Sequence, residues 1–144
     1  MADRRPLAEQ SADGWQVFQG TSEGRALFAR FDTRARRLAN DPRYAIQLGV
    51  AVPLRAPDSH GLPNWQEIGQ LEAFEDALIK KVAKKAVLVG VVTTNGMREF
   101  VLYTGSGDWI PALHEDLKAT LPTHQVQVMA QTDPSWSVYR QFVK

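Results

Sequence analysis

The chain has no cysteine. That excludes disulfides, thiol nucleophiles and cysteine-ligated metal, and it fits a reducing cytoplasm, the expected location. It also has almost no excess charge, with 17 basic against 16 acidic side chains and a net of +1. Such a balance gives no long-range attraction to nucleic acid or to anionic lipid. No stretch approaches the ~18 consecutive apolar residues of a membrane-spanning helix. The opening MADRRPLAEQSADG lacks the apolar centre of a secretory signal. The three histidines, His60, His114 and His124, show no metal-ligand spacing. Each reads as a surface or capping residue, and neither metal nor cofactor is expected. Gly105-Ser106-Gly107 lacks the lysine and full glycine pattern of a phosphate loop, and reads as a plain turn. There is no Gly-x-Ser-x-Gly elbow, no repeat and no low-complexity tract.

What is present is an ordinary globular composition, 44% hydrophobic and 23% charged over 144 residues, enough for one domain with a real core. Its clearest signal is Ala86 to Thr104, AVLVGVVTTNGMREFVLYT. Asn95-Gly96 sits between two β-rich runs, and Asn-Gly suits a two-residue turn with φ > 0 at both positions. Counting out from the turn pairs Thr94 with Met97, Thr93 with Arg98, Val91 with Phe100 and Val89 with Leu102. The last three pairs and Val87 then share one face. Leu88, Gly90, Val92, Glu99, Val101 and Tyr103 share the other.

Along the rest of the chain, residues 1–13 read as a polar, frayed tail. Residues 14–43 read as a hairpin and connection: strands Gly14 to Gln19 and Arg25 to Phe31, a turn at Gly20 to Gly24, and a basic stretch Asp32 to Arg43. That stretch reads as a solvated link, with an acidic-partner site as the sharper alternative. Tyr44 to Pro53 is a strand with Tyr44, Ile46, Leu48, Val50 and Val52 on one face, and proline ends it. Asn64 to Lys85 is a helix with Asn64 as N-cap and Glu67 as its capping-box partner. Trp65, Ile68, Leu71, Phe74 or Glu75, Leu78 and Val82 form its stripe, apolar except at one slot. Asp108 is an N-cap candidate for a second helix to Leu121, with Pro111 in its first turn. His124 to Gln131 alternates as a strand. Asp133-Pro134 opens a short C-terminal helix burying Trp136, Tyr139 and Val143.

Residues 44–131 thus read strand, helix, strand, strand, helix, strand. This is an α+β, ferredoxin-like (split βαβ, β-α-β-β-α-β) antiparallel sheet with both helices on one face. The N-terminal hairpin either lengthens that sheet or folds over its open face. Residues 132–144 add the C-terminal helix. The open face would carry Gln47, Gly49, Ala51, Leu88, Val92, Glu99, Val101, Tyr103, Gln127 and Met129, an apolar set that calls for a cover or a partner. Leu88, Val92, Glu99, Val101, Tyr103 and Gln127 are the candidate partner-binding residues. Trp65, Arg98, Asp108 and Trp109, between the 55–65 loop and the 105–109 turn, are the candidate ligand site. RNA-recognition domains share the topology, but one open-face aromatic, Tyr103, and no basic stripe argue against RNA.

The chain also resembles an uncharacterised bacterial family, domain of unknown function 695. The resemblance rests on Trp15, Gly61-Leu62-Pro63, Leu71 through Glu75-Asp76 to Leu78, Gly90 to Phe100 with its Gly96-Met97-Arg98-Glu99-Phe100 turn, and Trp136-Ser137-Val138-Tyr139. The basic Asp32 to Arg43 connection and the long N-terminal tail depart from it. The resemblance brings no catalytic residue. Some members are joined to a domain like regulator B of ribonuclease E, a ferredoxin-like protein inhibitor, and this implies regulation by protein contact. With no catalytic constellation in view, the expectation is a non-enzymatic module that binds a protein partner or a second copy of itself. A small-ligand binder or enzyme is the alternative, and RNA binding the third.

Overall fold

The Asn95-Gly96 turn forms as its chemistry requires, with φ of 53° and 76°, and it joins Ala86–Thr94 (β4) to Met97–Thr104 (β5). The computed structural model describes residues 14–144; the tail expected over 1–13 lies outside them. The remaining strands are Trp15–Ser22 (β1), Arg25–Asp32 (β2), Ile46–Pro53 (β3) and Gln127–Thr132 (β6). The helices are Trp65–Val82 (α1), Ile110–Thr120 (α2) and the short Ser137–Arg140 (α3). The strands form one six-stranded sheet in the order β1-β2-β4-β5-β3-β6, with every neighbouring pair antiparallel. The fold is therefore mixed α and β on an open antiparallel sheet.

The N-terminal hairpin lengthens the sheet. β2 pairs with β4 from Leu27 opposite Thr94 to Phe31 opposite Gly90. Its turn is tighter than the sequence suggests: β1 runs through Gly20 to Ser22, and Glu23-Gly24, at φ 53° and 79°, make a two-residue turn. The basic connection coils into two 3-10 turns, Thr33–Leu38 and Pro42–Tyr44, capped by the side chains of Asp32 and Asp41. Ala45 then takes a helical conformation (φ −88°, ψ −4°), so Tyr44 stands outside the alternation of β3 and does not join the Leu48 face.

The pairing of β4 with β5 holds from Thr94–Met97 to Gly90–Val101, then shifts by one residue, and Leu88 faces Leu102. Val89 is the extra residue of a β-bulge. The expected pairing of Val89 with Leu102 is thereby corrected, and Val87, Leu88 and Val89 exchange faces. Val87 and Val89 pack on the side away from the helices, while Leu88 packs on the helix side.

Asn64 caps α1 as expected, its Oδ1 accepting from Glu67 N at 2.8 Å. The helix ends at Val82, and Lys84 takes a left-handed φ of 70°. Trp65, expected in the buried stripe, is 81% exposed. At α2 the N-cap is Trp109 rather than Asp108. β6 begins at Gln127, three residues later than the alternation suggests. α3 likewise starts at Ser137, and Asp133 serves it from a distance.

Two cores result, one per face. Leu71, Phe74 and Leu78 of α1 and Leu113 and Leu117 of α2 pack with Leu48, Val50, Phe100 and Leu102 of the sheet. The opposite face carries Phe31, Val89, Val101 and Tyr103, closed over by Ala35, Trp136, Tyr139 and Val143. The cover of that face is therefore the C-terminal segment and the first 3-10 turn. Trp136 makes the closure at a bulky residue's rarest backbone setting, φ 61°. Its ring stacks on Tyr103 with centroids 4.0 Å apart, and its Nε1 donates to Tyr44 O at 2.8 Å. Those contacts hold the strained conformation in place.

Candidate functional site

The C-terminal cover divides the residues singled out on the open face. Val101 and Tyr103 lie fully buried beneath it, so a partner cannot reach them in the folded chain. Leu88 has crossed to the helix side because of the bulge. Val92 and Glu99 stay half-buried at the uncovered end, and Gln127 is exposed on β6. Tyr103, the aromatic on which an RNA reading depends, is under Trp136.

The ligand-site candidates do not converge. In the β3–β5 pair, Pro53 faces Met97 and Ile46 faces Thr104. The 55–65 loop leaves from the Pro53 end and the 105–109 turn from the Thr104 end, so eight residue pairs of sheet separate them. Trp65 stands at the first end, exposed. Asp108 and Trp109 stand at the second, where Lys85 Nζ lies 5.6 Å from the Trp109 ring centre. Arg98 is buried on the helix side, its Nε donating to Thr93 Oγ1 at 2.9 Å.

The uncovered end of the sheet is built around Glu99. In register it sits between Val92 of β4 and Ala51 of β3. Its carboxylate leans over Gly49: a Cβ there would lie 2.8 Å from Oε2 of Glu99 and 3.5 Å from Nε2 of Gln47. Gly49 and Ala51 make the floor of a shallow trough. Beside it Val92, Thr94, Asn95, Met97 and Glu99 line a cavity of about 200 Å³. Met97, 37% exposed, forms its apolar rim. Burial pushes the Glu99 carboxyl above the usual carboxylate range. Among the described residues no cation and no hydrogen-bond donor compensates it.

The cover itself is pinned by polar groups. Tyr103 donates its hydroxyl to Asp133 Oδ2 at 2.7 Å, and Asp133 Oδ1 accepts from Ser137 N and Ser137 Oγ at 2.8 and 2.7 Å. Burial opposes ionisation of Asp133, but these donors together outweigh it and hold its carboxyl below the usual range. Tyr139 donates to Asp32 O at 2.7 Å, and burial pushes its hydroxyl up to about 12.

Two further polar pairs escaped the sequence reading. His124 is buried, its Nε2 2.7 Å from Oε2 of Glu67 and its Nδ1 2.9 Å from Thr123 Oγ1. It is neither surface nor cap. Glu67 is no capping-box partner: its Oε2 also accepts from Arg55 N at 2.6 Å, so it ties the 55–65 loop and the α2–β6 connection to α1. A cavity of about 230 Å³ lined by Arg55, Asn64, Gln66 and Gln70 lies beside it. On α1, Phe74 fills the core and Glu75 pairs with Arg30 of β2, whose guanidinium lies 5.2 Å from the Trp15 ring centre. The one polar slot in the α1 stripe was the signal for this pair. Nothing local signals the Glu67–His124 contact, which spans 57 residues. Among the described residues no group of three or more His, Cys, Asp or Glu could hold a metal ion, and no helix is long and apolar enough to cross a membrane.

A search of curated proteins finds no match. The model of a family of unknown function, DUF695, matches residues 13–143, and the chain belongs to that family.

Proposed function

We propose that this member of the family is a non-enzymatic, regulatory protein-binding module, and that its partner docks on the uncovered end of the sheet. The bound segment is basic and apolar: a Lys or Arg reaches Glu99, and neighbouring apolar side chains lie against Val92 and Met97. The observation that carries this reading is the Glu99 carboxylate, half-buried over Gly49, where a Cβ would meet its Oε2 at 2.8 Å, with no cation or donor beside it among the described residues. A half-buried charge without a partner is partly desolvated and costs free energy, and such costs collect where a ligand repays them. An exposed methionine adapts to varied apolar surfaces, which suits Met97 at the rim. The underlying unit on this reading is a ferredoxin-like β-α-β-β-α-β core formed by β3 to β6 with α1 and α2, supported by the strand order β4-β5-β3-β6 and by both helices sharing one core.

The test is selection from a random peptide library displayed on phage. Enriched peptides should carry Lys or Arg next to apolar residues, and Glu99→Gln should weaken their binding at least ~tenfold, the value of one charge-assisted contact. No enrichment, or binding indifferent to Glu99→Gln, removes the trough as the docking site. A small-ligand reading has the polar cavity beside Arg55 and Gln70 in its favour; a thermal shift with a metabolite panel that Gln70→Ala abolishes would support it instead.

A further inference from the structure

Sheets end in rows of unpaired backbone N–H and C=O groups, and natural edges are blunted by charge, proline or a bulge. β6 is an edge strand, paired with β3 on one side only among the described residues. It has none of these guards. Gln127–Thr132, QVMAQT, contains no charge, proline or glycine, its six pairs with β3 run without a register shift, and five of its six residues are exposed. The opposite edge, β1, is interrupted by Gly20, and glycine weakens a strand's interior.

From this we infer that two copies of the chain join β6 to β6, antiparallel about a two-fold axis, into one continuous sheet. Symmetry fixes the register closely. Antiparallel pairs alternate between hydrogen-bonded and non-hydrogen-bonded types. A two-fold axis makes each residue and its partner exchange places, so both must be of one type, and the axis must pass where a residue faces its own copy. If that residue is Ala130, Met129 meets Gln131 and Val128 meets Thr132, apolar against polar in each case. If it is Met129, the sulfur side chains meet each other, Gln127 meets Gln131 amide to amide, and Val128 meets Ala130. Met129 is the residue on the axis. Its 65% exposure in one copy is covered by its own counterpart. Because the strand carries no charge and the chain only +1, nothing electrostatic opposes the joint. The contact is small for a stable interface, so the dimer is a weak one that concentration drives.

The absence of native cysteine makes the test clean. Residues directly opposite across such a pair have Cα atoms ~4.5–5.5 Å apart, within the ~4.4–6.8 Å a disulfide spans. Single-cysteine variants Met129→Cys, Gln127→Cys and Gly20→Cys are oxidised side by side after circular dichroism confirms their fold. Met129→Cys should form a covalent dimer at least ~tenfold faster than the other two, the advantage of a held pair. In sedimentation, the wild-type mass should rise with concentration, Met129→Lys should stay monomeric, and Glu99→Gln should follow the wild type, which separates this joint from the partner site. Equal oxidation rates, faster dimerisation at Gly20→Cys, or a wild-type chain monomeric at every concentration would overturn the inference.

Discussion

Glu99 sets up an opposition between stability and binding in a single side chain. Its folded pKa is raised by burial. Below the unfolded carboxylate value both states hold the proton, and Glu99 costs nothing. As pH climbs past that value towards the raised folded one, the unfolded chain releases its proton first, so folding loses free energy; above the folded value the loss is complete. Glu99→Gln should therefore melt higher than wild type at neutral pH, with the gain vanishing in acid. Melting curves across that range check it, and equal melting temperatures at neutral pH would mean that the carboxylate is well solvated. Glu67 is the opposite case, because its desolvation is repaid by Arg55 N and His124. Glu67→Ala strands both donors and should cost roughly 2–4 kcal/mol in urea unfolding. Glu67→Gln, which keeps an acceptor, should cost less.

At the scale of elements, the central hairpin was legible because its signal is local: a dipeptide that accepts φ > 0, flanked by β-formers. Its chemistry predicts that Gly96→Val costs at least ~1 kcal/mol, measured by urea unfolding. Space is not the obstacle, since a Cβ at 96 meets only Pro57 Cγ at 3.8 Å; the φ of 76° is. The helices were legible for a similar reason, a periodic stripe and a cap. The Val89 bulge was not. A run of Ala, Val and Leu reads the same on either face, so only the partner strand and Phe31 decide which residue is extra. The late starts of β6 and α3 have a related origin. His124 turns inward to Glu67, and Asp133 commits its carboxylate to Tyr103, Ser137 and Val138 before the helix begins. A chain of alternating residues cannot announce contacts made across 57 and 30 positions, which tertiary packing alone supplies.

For the molecule as a whole, the sequence made the apolar second face of the sheet visible but left open what covers it. Covering it needed Trp136 to accept a left-handed backbone, and lengthening the sheet needed β2 to find β4. Both turn on aromatic groups meeting residues far away in the chain. Phe31 is the joint between these events. It is wholly buried, its ring stacks on Phe142 with centroids 4.5 Å apart, and it lies directly over Gly90, where a Cβ would come within 2.1 Å of the ring. Here the glycine is required by close approach, with one backbone setting against one ring. Gly90→Ala should consequently cost ~1–3 kcal/mol, as overpacking does, and loosen the N-terminal hairpin first, because Phe31 opposite Gly90 is the last rung of its ladder to β4. Amide exchange should quicken across β2 and in the 139–143 segment before it does in α1. Phe31→Leu alone should also destabilise, by opening a cavity. Combined, the two changes should cost less than their sum, since the smaller side chain makes room for the added methyl. Additive costs would show that the hairpin is held by its backbone ladder and the Arg30–Glu75 pair, with Phe31 a bystander.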